Sequence, residues 1–214
     1  MHRLASVPTG PFEVYRVGRP ELVGPFGGPS PLAVHLDAIL VAAMATVPGT
    51  PPAPGQLARQ LVNHCLRDQF RCLVAFAAPA EGHRPAGPWP GRPVGFTYGF
   101  TGSRGQWWTD QVARHMDEAT ARHWLDGHFE LVELHVHPAY HRRGIGGLLH
   151  DLVLRGLPHR RALLSTRHGP TAALALYRRR GWQVVAGPMY FDGSPDPYLI
   201  LGKELPGPPA PEPA

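Results

Sequence analysis

A chain of 214 residues is long enough for one large domain or two small ones with a well-buried core, and none of its apolar runs is long enough to span a bilayer. Its first residues lack a charged-then-apolar leader pattern, and its two cysteines, Cys65 and Cys72, form neither a disulfide framework nor a metal-ligand pattern. The formal charge of +5 comes without a zinc-finger or RNA-recognition pattern, so the expectation is a soluble, cytoplasmic, cofactor-binding protein with no nucleic acid and no membrane among its partners.

Residues 12–17 alternate apolar and polar and predict a first strand. After a glycine/proline loop over 24–31, residues 32–45 carry Leu32, His35, Leu36, Ile39, Leu40 and Ala43 at helical spacing. A linker of turn residues over 48–55 precedes a second helix over 56–67, with Leu57, Leu61 and Cys65 on one face. Residues 71–77 form a compact apolar strand. Residues 93–101, with Val94, Phe96 and Tyr98 alternating, form the returning strand, and the Pro- and Gly-rich stretch 78–92 between them reads as a flexible hairpin loop.

Trp107 and Trp108 then stand in a loop ahead of an amphipathic helix, or helix pair, over 109–125. Thr109 is its expected cap, and Val112, Met116, Ala119 and Trp124 make its apolar face. The two tryptophans either wall a pocket or pin this helical segment to a sheet. There follow a core strand over 129–136, a glycine turn, a helix over 145–156 and a buried strand over 162–167. A helix over 171–180 with Thr171 as its N-cap leads to strands over 182–186 and 198–204. Residues 206–214 are a Pro-rich tail, expected to be disordered. The order is α/β, with an antiparallel front half, a β-α-β crossover over 129–167 and one domain over 1–205, its helical insertion at about 107–127.

The stretch from His137 to His150 carries the chemistry. A strand that ends in a basic, glycine-rich turn and runs into a helix start builds an anion site, because the first N–H groups of a helix have no internal partner. Gly144, Gly146 and Gly147 clear side chains from that backbone, and Arg142 and Arg143 add charge. The nucleotide-hydrolase P-loop needs Lys and Ser or Thr after its last glycine, where Leu148 and Leu149 stand instead. The dinucleotide fingerprint needs a third glycine where Leu149 stands. His135, His137 and His141 lie in a strand and its turn rather than at helical metal-ligand spacing, so no metal is expected.

What remains resembles motif A of the GNAT superfamily of acyl-CoA-dependent N-acyltransferases, Q/R-x-x-G-x-G/A, here His141-Arg142-Arg143-Gly144-Ile145-Gly146 with His in place of Gln or Arg. Downstream, Leu176-Tyr177-Arg178-Arg179-Arg180-Gly181-Trp182 resembles the family's motif B, L-Y-x-x-x-G-F/W. The resemblance covers roughly residues 94–205 and implies a mixed, mostly antiparallel sheet flanked by helices, with the fourth and fifth strands splayed. It implies acetyl-CoA (coenzyme A) as cosubstrate, its pyrophosphate held by backbone from Arg142 through Gly144, Ile145, Gly146 and Gly147 to Leu148, next to His141 and Arg143.

By the same resemblance the backbone of Leu134, His135 and Val136 binds the pantetheine and polarises the thioester, with the Val136 N–H as oxyanion donor. Tyr177 matches the tyrosine that protonates the leaving thiolate. Glu130, Glu133 and His135 are the candidates for the base, and strand alternation prevents Glu130 and Glu133 from serving together unless a bulge intervenes. Two readings remain: an N-acetyltransferase acting directly in a ternary complex on a primary amine of a small molecule or protein, or a non-catalytic acyl-CoA-binding regulatory module on the same fold. Relatives commonly form dimers, so a homodimer is a possible assembly.

Overall fold

The computed structural model describes residues 1–6, 12–49, 52–78, 88–192 and 194–207. Most of the expected hairpin loop over 78–92 and of the tail over 206–214 lies outside them. Its elements, in order, are β1 (His2–Ser6), β2 (Phe12–Val17), α1 (Arg19–Leu22), α2 (Pro31–Met44), α3 (Gln56–His64), β3 (Arg71–Ala77), β4 (Arg92–Thr101), α4 (Trp107–Ala113) and α5 (Glu118–Leu125). The chain continues with β5 (Phe129–Val136), a 3-10 turn (Pro138–Tyr140), α6 (Ile145–Leu154), β6 (Arg161–Arg167), α7 (Ala172–Arg179), β7 (Gln183–Tyr190) and β8 (Pro197–Glu204). The eight strands are mostly antiparallel, as the α/β reading expects. Among the described residues, no helix is long and apolar enough to cross a membrane.

The residues group into two compact units, Met1–Phe100 with Glu133–Val153, and Thr101–Val132 with the chain from Leu154 onward. In the first, β1, β2, β3 and β4 are neighbours in that order, followed by the last four residues of β5. Residues 72–76 of β3 are all buried, a continuous apolar run rather than an alternating one. Helices on both faces of the strands account for this. A Cβ built on Gly95 of β4 would meet Ile145 of α6, whereas Tyr98, of opposite parity, meets His64 of α3.

The α2–α3 hairpin is held by polar groups as well as by Leu32, Leu36, Leu57 and Leu61. Ser30 caps α2 by accepting from the Ala33 N–H at 3.1 Å. Gly55, at the N-cap of α3, has no side chain to offer, and the buried Asp37 of α2 substitutes, accepting from Gly55 N–H at 2.7 Å and Leu57 N–H at 2.9 Å. A carboxylate taking orphan helix N–H groups also opposes the helix dipole favourably.

In the second unit, β6 pairs parallel with β5 and antiparallel with β8, which pairs with β7. The parallel register holds only at Phe129↔Ala162 and Glu130↔Leu163. β6 keeps β8 along its whole length, from Arg161↔Glu204 to Arg167↔Tyr198. Val112, Trp124, Leu125, Leu163, Phe191 and Ile200 lead the core.

The segment over 109–125 is a helix pair, but it starts earlier than expected. Trp107 and Trp108 are the first residues of α4, Gln106 is its N-cap, and Thr109 is buried inside it. No side chain caps α4, contrary to the cap expected of Thr109; the Asp110 carboxylate instead accepts from Gly105 N–H at 3.1 Å and holds the chain before α4 from within the helix. The helix expected over 56–67 ends at His64, and β1, α1 and the 3-10 turn are elements the periodicity did not indicate.

His128, just before β5, is fully buried. Its Nδ1–H donates to the Leu125 carbonyl at 3.1 Å, and its Nε2 has no hydrogen-bond partner among the described residues. Gly102 packs so closely that a Cβ there would come within 2.0 Å of that nitrogen. Burial lowers the His128 pKa to about 4. An imidazole depressed from about 6.5 stabilises the fold fully above that pH, and the contribution is lost between pH 6.5 and 4 because the unfolded chain takes up the proton first. We expect about 3 kcal/mol of stability to disappear over this window, measured by chemical denaturation, and His128→Asn to flatten that part of the profile.

Candidate active site

One hydrogen bond sets the orientation of the end of β5. His137, the residue after the strand, donates its N–H to the Val94 carbonyl of β4 at 2.8 Å. Backbone groups alternate sides along a strand, so odd-numbered residues here turn their N–H and C=O toward β4. The Glu133 carbonyl, which accepts from Thr97 Oγ1 at 2.8 Å, obeys the same parity. The N–H groups of Leu134 and Val136 therefore point away from β4, and both side chains are only half-buried.

The turn that follows is built to expose backbone. Pro138–Tyr140 form the 3-10 turn, and His141 ends it with its ring Nε2 2.8 Å from the Val136 carbonyl. In the Gln or Arg position of the motif, this imidazole ties the turn back to the strand. Arg142 lies at φ 63° and Gly144 at φ 77°, both left-handed. Left-handed residues next to right-handed ones fold successive N–H groups into an anion-binding concavity, and a non-glycine such as Arg142 pays about 1 kcal/mol for that conformation. Ile145, buried, anchors the first turn of α6, and Leu148 N–H closes it onto the Gly144 carbonyl at 3.0 Å.

Arg142 and Arg143 are exposed at this turn. The Arg143 guanidinium lies 5.4 Å from the Tyr140 ring centroid and 5.9 Å from that of Phe12, a cation–π seat that steadies it. A Cβ on Gly146 would meet only Val136 Cγ2, at an ordinary 3.7 Å. The protein's own packing thus does not require glycine at this position, and the space a side chain would fill lies over the helix start. The turn suits a pyrophosphate in shape and charge.

Of the three base candidates, Glu133 and His135 are joined. His135 Nε2 lies 2.6 Å from Glu133 Oε2, on side chains 17% and 24% exposed. A carboxylate is an acceptor, so Nε2 carries the proton and Nδ1 keeps the lone pair. Phe96 packs on the imidazole with centroids 5.8 Å apart. Glu130 lies in the first half of β5, in the second unit, and is buried. His64 and Tyr98, on the same face of the first unit as His135, stand with their ring nitrogen and hydroxyl 3.1 Å apart. His64 escaped the sequence reading because its partner is 34 residues away, and Tyr98 was read chiefly as core.

In the second unit Tyr177, on α7, is buried with its ring 5.7 Å from Trp182 in an edge contact. Thr171 caps α7 as expected, accepting from Leu174 N–H at 3.0 Å. Trp108 donates its Nε1–H to Ser165 Oγ at 3.2 Å and packs on His128, which supports the pinning reading for this residue. Trp107 is 58% exposed, its ring 5.6 Å from Phe191. Among the described residues no group of three or more His, Cys, Asp or Glu is placed to hold a metal.

A basic, glycine-lined helix start thus follows a strand whose last N–H groups turn outward, an arrangement suited in shape and charge to an anion. The acetyltransferase (GNAT) family matches residues 63–182, more than half of the chain, and the chain belongs to that family. The GCN5-like protein acetyltransferase Rv2170 of Mycobacterium tuberculosis is 36% identical over 122 residues, which cover 53% of this chain and 59% of that relative, less than two thirds of its length.

Among solved structures, an acetyltransferase from Thermus thermophilus aligns with a TM-score of 0.56 at 16% identity, over 92% of this chain and 99% of that one. Arabidopsis thaliana NAA60, in complex with a bisubstrate analogue, gives 0.53 at 17% identity over 91% and 99%. The PaiA N-acetyltransferase of Thermoplasma acidophilum, in complex with coenzyme A, gives 0.51 at 14% over 91% and 99%. At these identities the likeness is one of fold.

Gly146→Ala separates stability from binding. Alanine in the first turn of α6 should leave stability unchanged or raise it by about 0.5–1 kcal/mol, while coenzyme A affinity, measured by calorimetry, falls about tenfold or more as the methyl group enters the anion's space.

Proposed function

We propose that this chain is an N-acetyltransferase that moves the acetyl group of acetyl-CoA to a primary amine by direct transfer in a ternary complex, with residues 1–205 serving as one catalytic domain. The observation that carries this reading is the turn over 142–147, where two left-handed residues, two arginines and an unfilled Gly146 combine at a helix start. The family match supports it, as does the coenzyme A complex of the Thermoplasma acidophilum protein. The name of the Mycobacterium tuberculosis relative favours a protein amine as acceptor.

Bound acetyl-CoA supplies an activated acyl carbon and a thiolate leaving group. The N–H groups of the 142–147 backbone, with Arg142 and Arg143, hold the pyrophosphate, while Leu148 N–H is taken by the Gly144 carbonyl. The outward backbone of Leu134 and Val136 holds the pantetheine arm, and the Val136 N–H stabilises the oxygen on which negative charge develops. His135 Nδ1 takes the proton from the acceptor ammonium. Glu133 fixes the ring's tautomer and stabilises the imidazolium, as a carboxylate does for a catalytic histidine in general. Tyr177 delivers its hydroxyl proton to the departing sulfur and takes back the second proton that the acylated nitrogen gives up, a role suited to a phenol that is neutral at working pH.

Thiol release from acetyl-CoA, followed against a panel of lysine-bearing peptides, peptides with free N-termini, spermidine and an aminoglycoside, tests this function. We expect turnover with at least one amine, and Tyr177→Phe to lower kcat about tenfold or more with little change in coenzyme A affinity. Binding of acetyl-CoA without turnover on any amine would point instead to a regulatory acyl-CoA module, and an unchanged kcat in Tyr177→Phe would remove that residue from its role.

A further inference from the structure

Trp107, the first residue of α4, is 58% exposed and takes no part in the steps above. A single exposed ring needs no explanation, but this one is held in place. Its neighbour Trp108 donates its indole N–H to Ser165 Oγ at 3.2 Å and so ties the start of α4 to β6. The Trp107 ring rests 5.6 Å from that of Phe191 at 36°, and the buried Phe191 packs edge-on against Tyr198 at 5.2 Å. The helical insertion thus presents an aromatic wall that is fixed in place and open to solvent.

Carboxylates flank that wall. Asp110 and Gln111 stand three and four residues after Trp107 and share its side of the helix. Asp110 is fixed by Gly105 N–H at 3.1 Å. The buried Gln111 donates its side-chain N–H to Asp192 Oδ2, which holds that exposed carboxylate beside the residue, Phe191, on which the indole rests. Two negative charges outweigh the roughly half positive charge of a helix start. Arg104, ahead of the helix, is exposed and makes no ion pair or ring contact among the described residues, so the chain does not fill this place with a guanidinium of its own.

An aromatic face beside carboxylates is what an arginine side chain recognises: the guanidinium stacks on the indole and its N–H fork meets the carboxylate. We propose that Trp107, Asp110 and Asp192 bind an arginine of a protein acceptor, a residue other than the one that is acetylated. The proposal rests on the N-acetyl-transfer reading and narrows its acceptor to protein. The wall is open, so a free cation gains only about two- to fivefold from stacking on it. An arginine carried by a chain that is already engaged at its reacting amine arrives at a high effective concentration, and the same contact then adds to the affinity of the whole acceptor. The contact therefore selects among protein amines by the residues around them.

Two measurements decide it. The first needs no turnover. The indole N–H resonance of Trp107, assigned by its loss in Trp107→Ala, is followed by NMR as acetyl-Gly-Arg-Gly-amide, which has no amine to acetylate, is added up to about 0.1 M. It should move, and should stay in place with the peptide that carries neutral citrulline instead of arginine. No movement, or equal movement with citrulline, overturns the site. So does a Trp107 resonance that shifts with protein concentration alone, since a second copy of the chain would then cover the wall.

The second measurement takes the most active peptide of the panel and places one arginine, or one citrulline, at each position around its reacting amine. At one position or more, arginine should lower the peptide KM about fivefold relative to citrulline, and Trp107→Ala and Asp192→Asn should each remove most of that difference. If arginine and citrulline serve equally at every position, the site is wrong while N-acetyl transfer stands, and the same holds if spermidine or the aminoglycoside is acetylated and no peptide is. If no amine is acetylated at all, N-acetyl transfer fails and the acceptor assignment fails with it. Should Trp107→Ala unfold, Asp192→Asn, a change on an exposed side chain, must by itself remove the preference for the proposal to hold.

Discussion

The bond from His137 N–H to the Val94 carbonyl fixes the parity of β5, and the chemistry of the first unit depends on that parity. With it set, Glu133 and His135 share a face and can meet. The N–H groups of Leu134 and Val136 turn away from β4, and the chain leaves the strand in the direction that starts α6 after a short turn. A slip of one residue would reverse every one of these assignments, because strand side chains and backbone groups both repeat every two residues. The contact of Gly95 with Val136 and Ile145 reinforces the register, since a Cβ there would sit 3.1 Å from the His135 carbonyl.

The turn after β5 stores its specificity in backbone rather than in side chains. Arg142 holds a left-handed conformation that asparagine or glycine would adopt more readily. His141 bonds the Val136 carbonyl and so closes the turn onto the strand. The strain falls in the turn for which we propose a ligand-binding function, as is common where a backbone must present donors.

Much of this was legible because it is local. The strand over 129–136 was bounded correctly by its apolar run, and Thr171 was recognised as a cap because the hydroxyl and the N–H it takes are three residues apart. The motif turn was readable because glycines and arginines at fixed spacing carry their meaning without knowledge of the rest of the chain. The start of α4 was misplaced because Asp110 reaches back to Gly105 from inside the helix, whereas Thr109, a good cap by type, is buried. His64 and Tyr98 were not paired because no local pattern links a helix end to a strand 34 residues later. The joining of Glu133 and His135 needed the side chains themselves. Alternation puts them on one face, but only the folded strand brings their atoms to bonding distance.

The most direct test of the central claim is a backbone amide NMR titration with coenzyme A. Binding at the helix start predicts that the N–H resonances of Arg143 through Leu148, together with Leu134 and Val136, move first and furthest, and that Gly146→Ala suppresses those shifts at the same ligand concentration. Saturable binding that leaves these amides in place while moving others would contradict the assignment of the turn, and so would the absence of any binding.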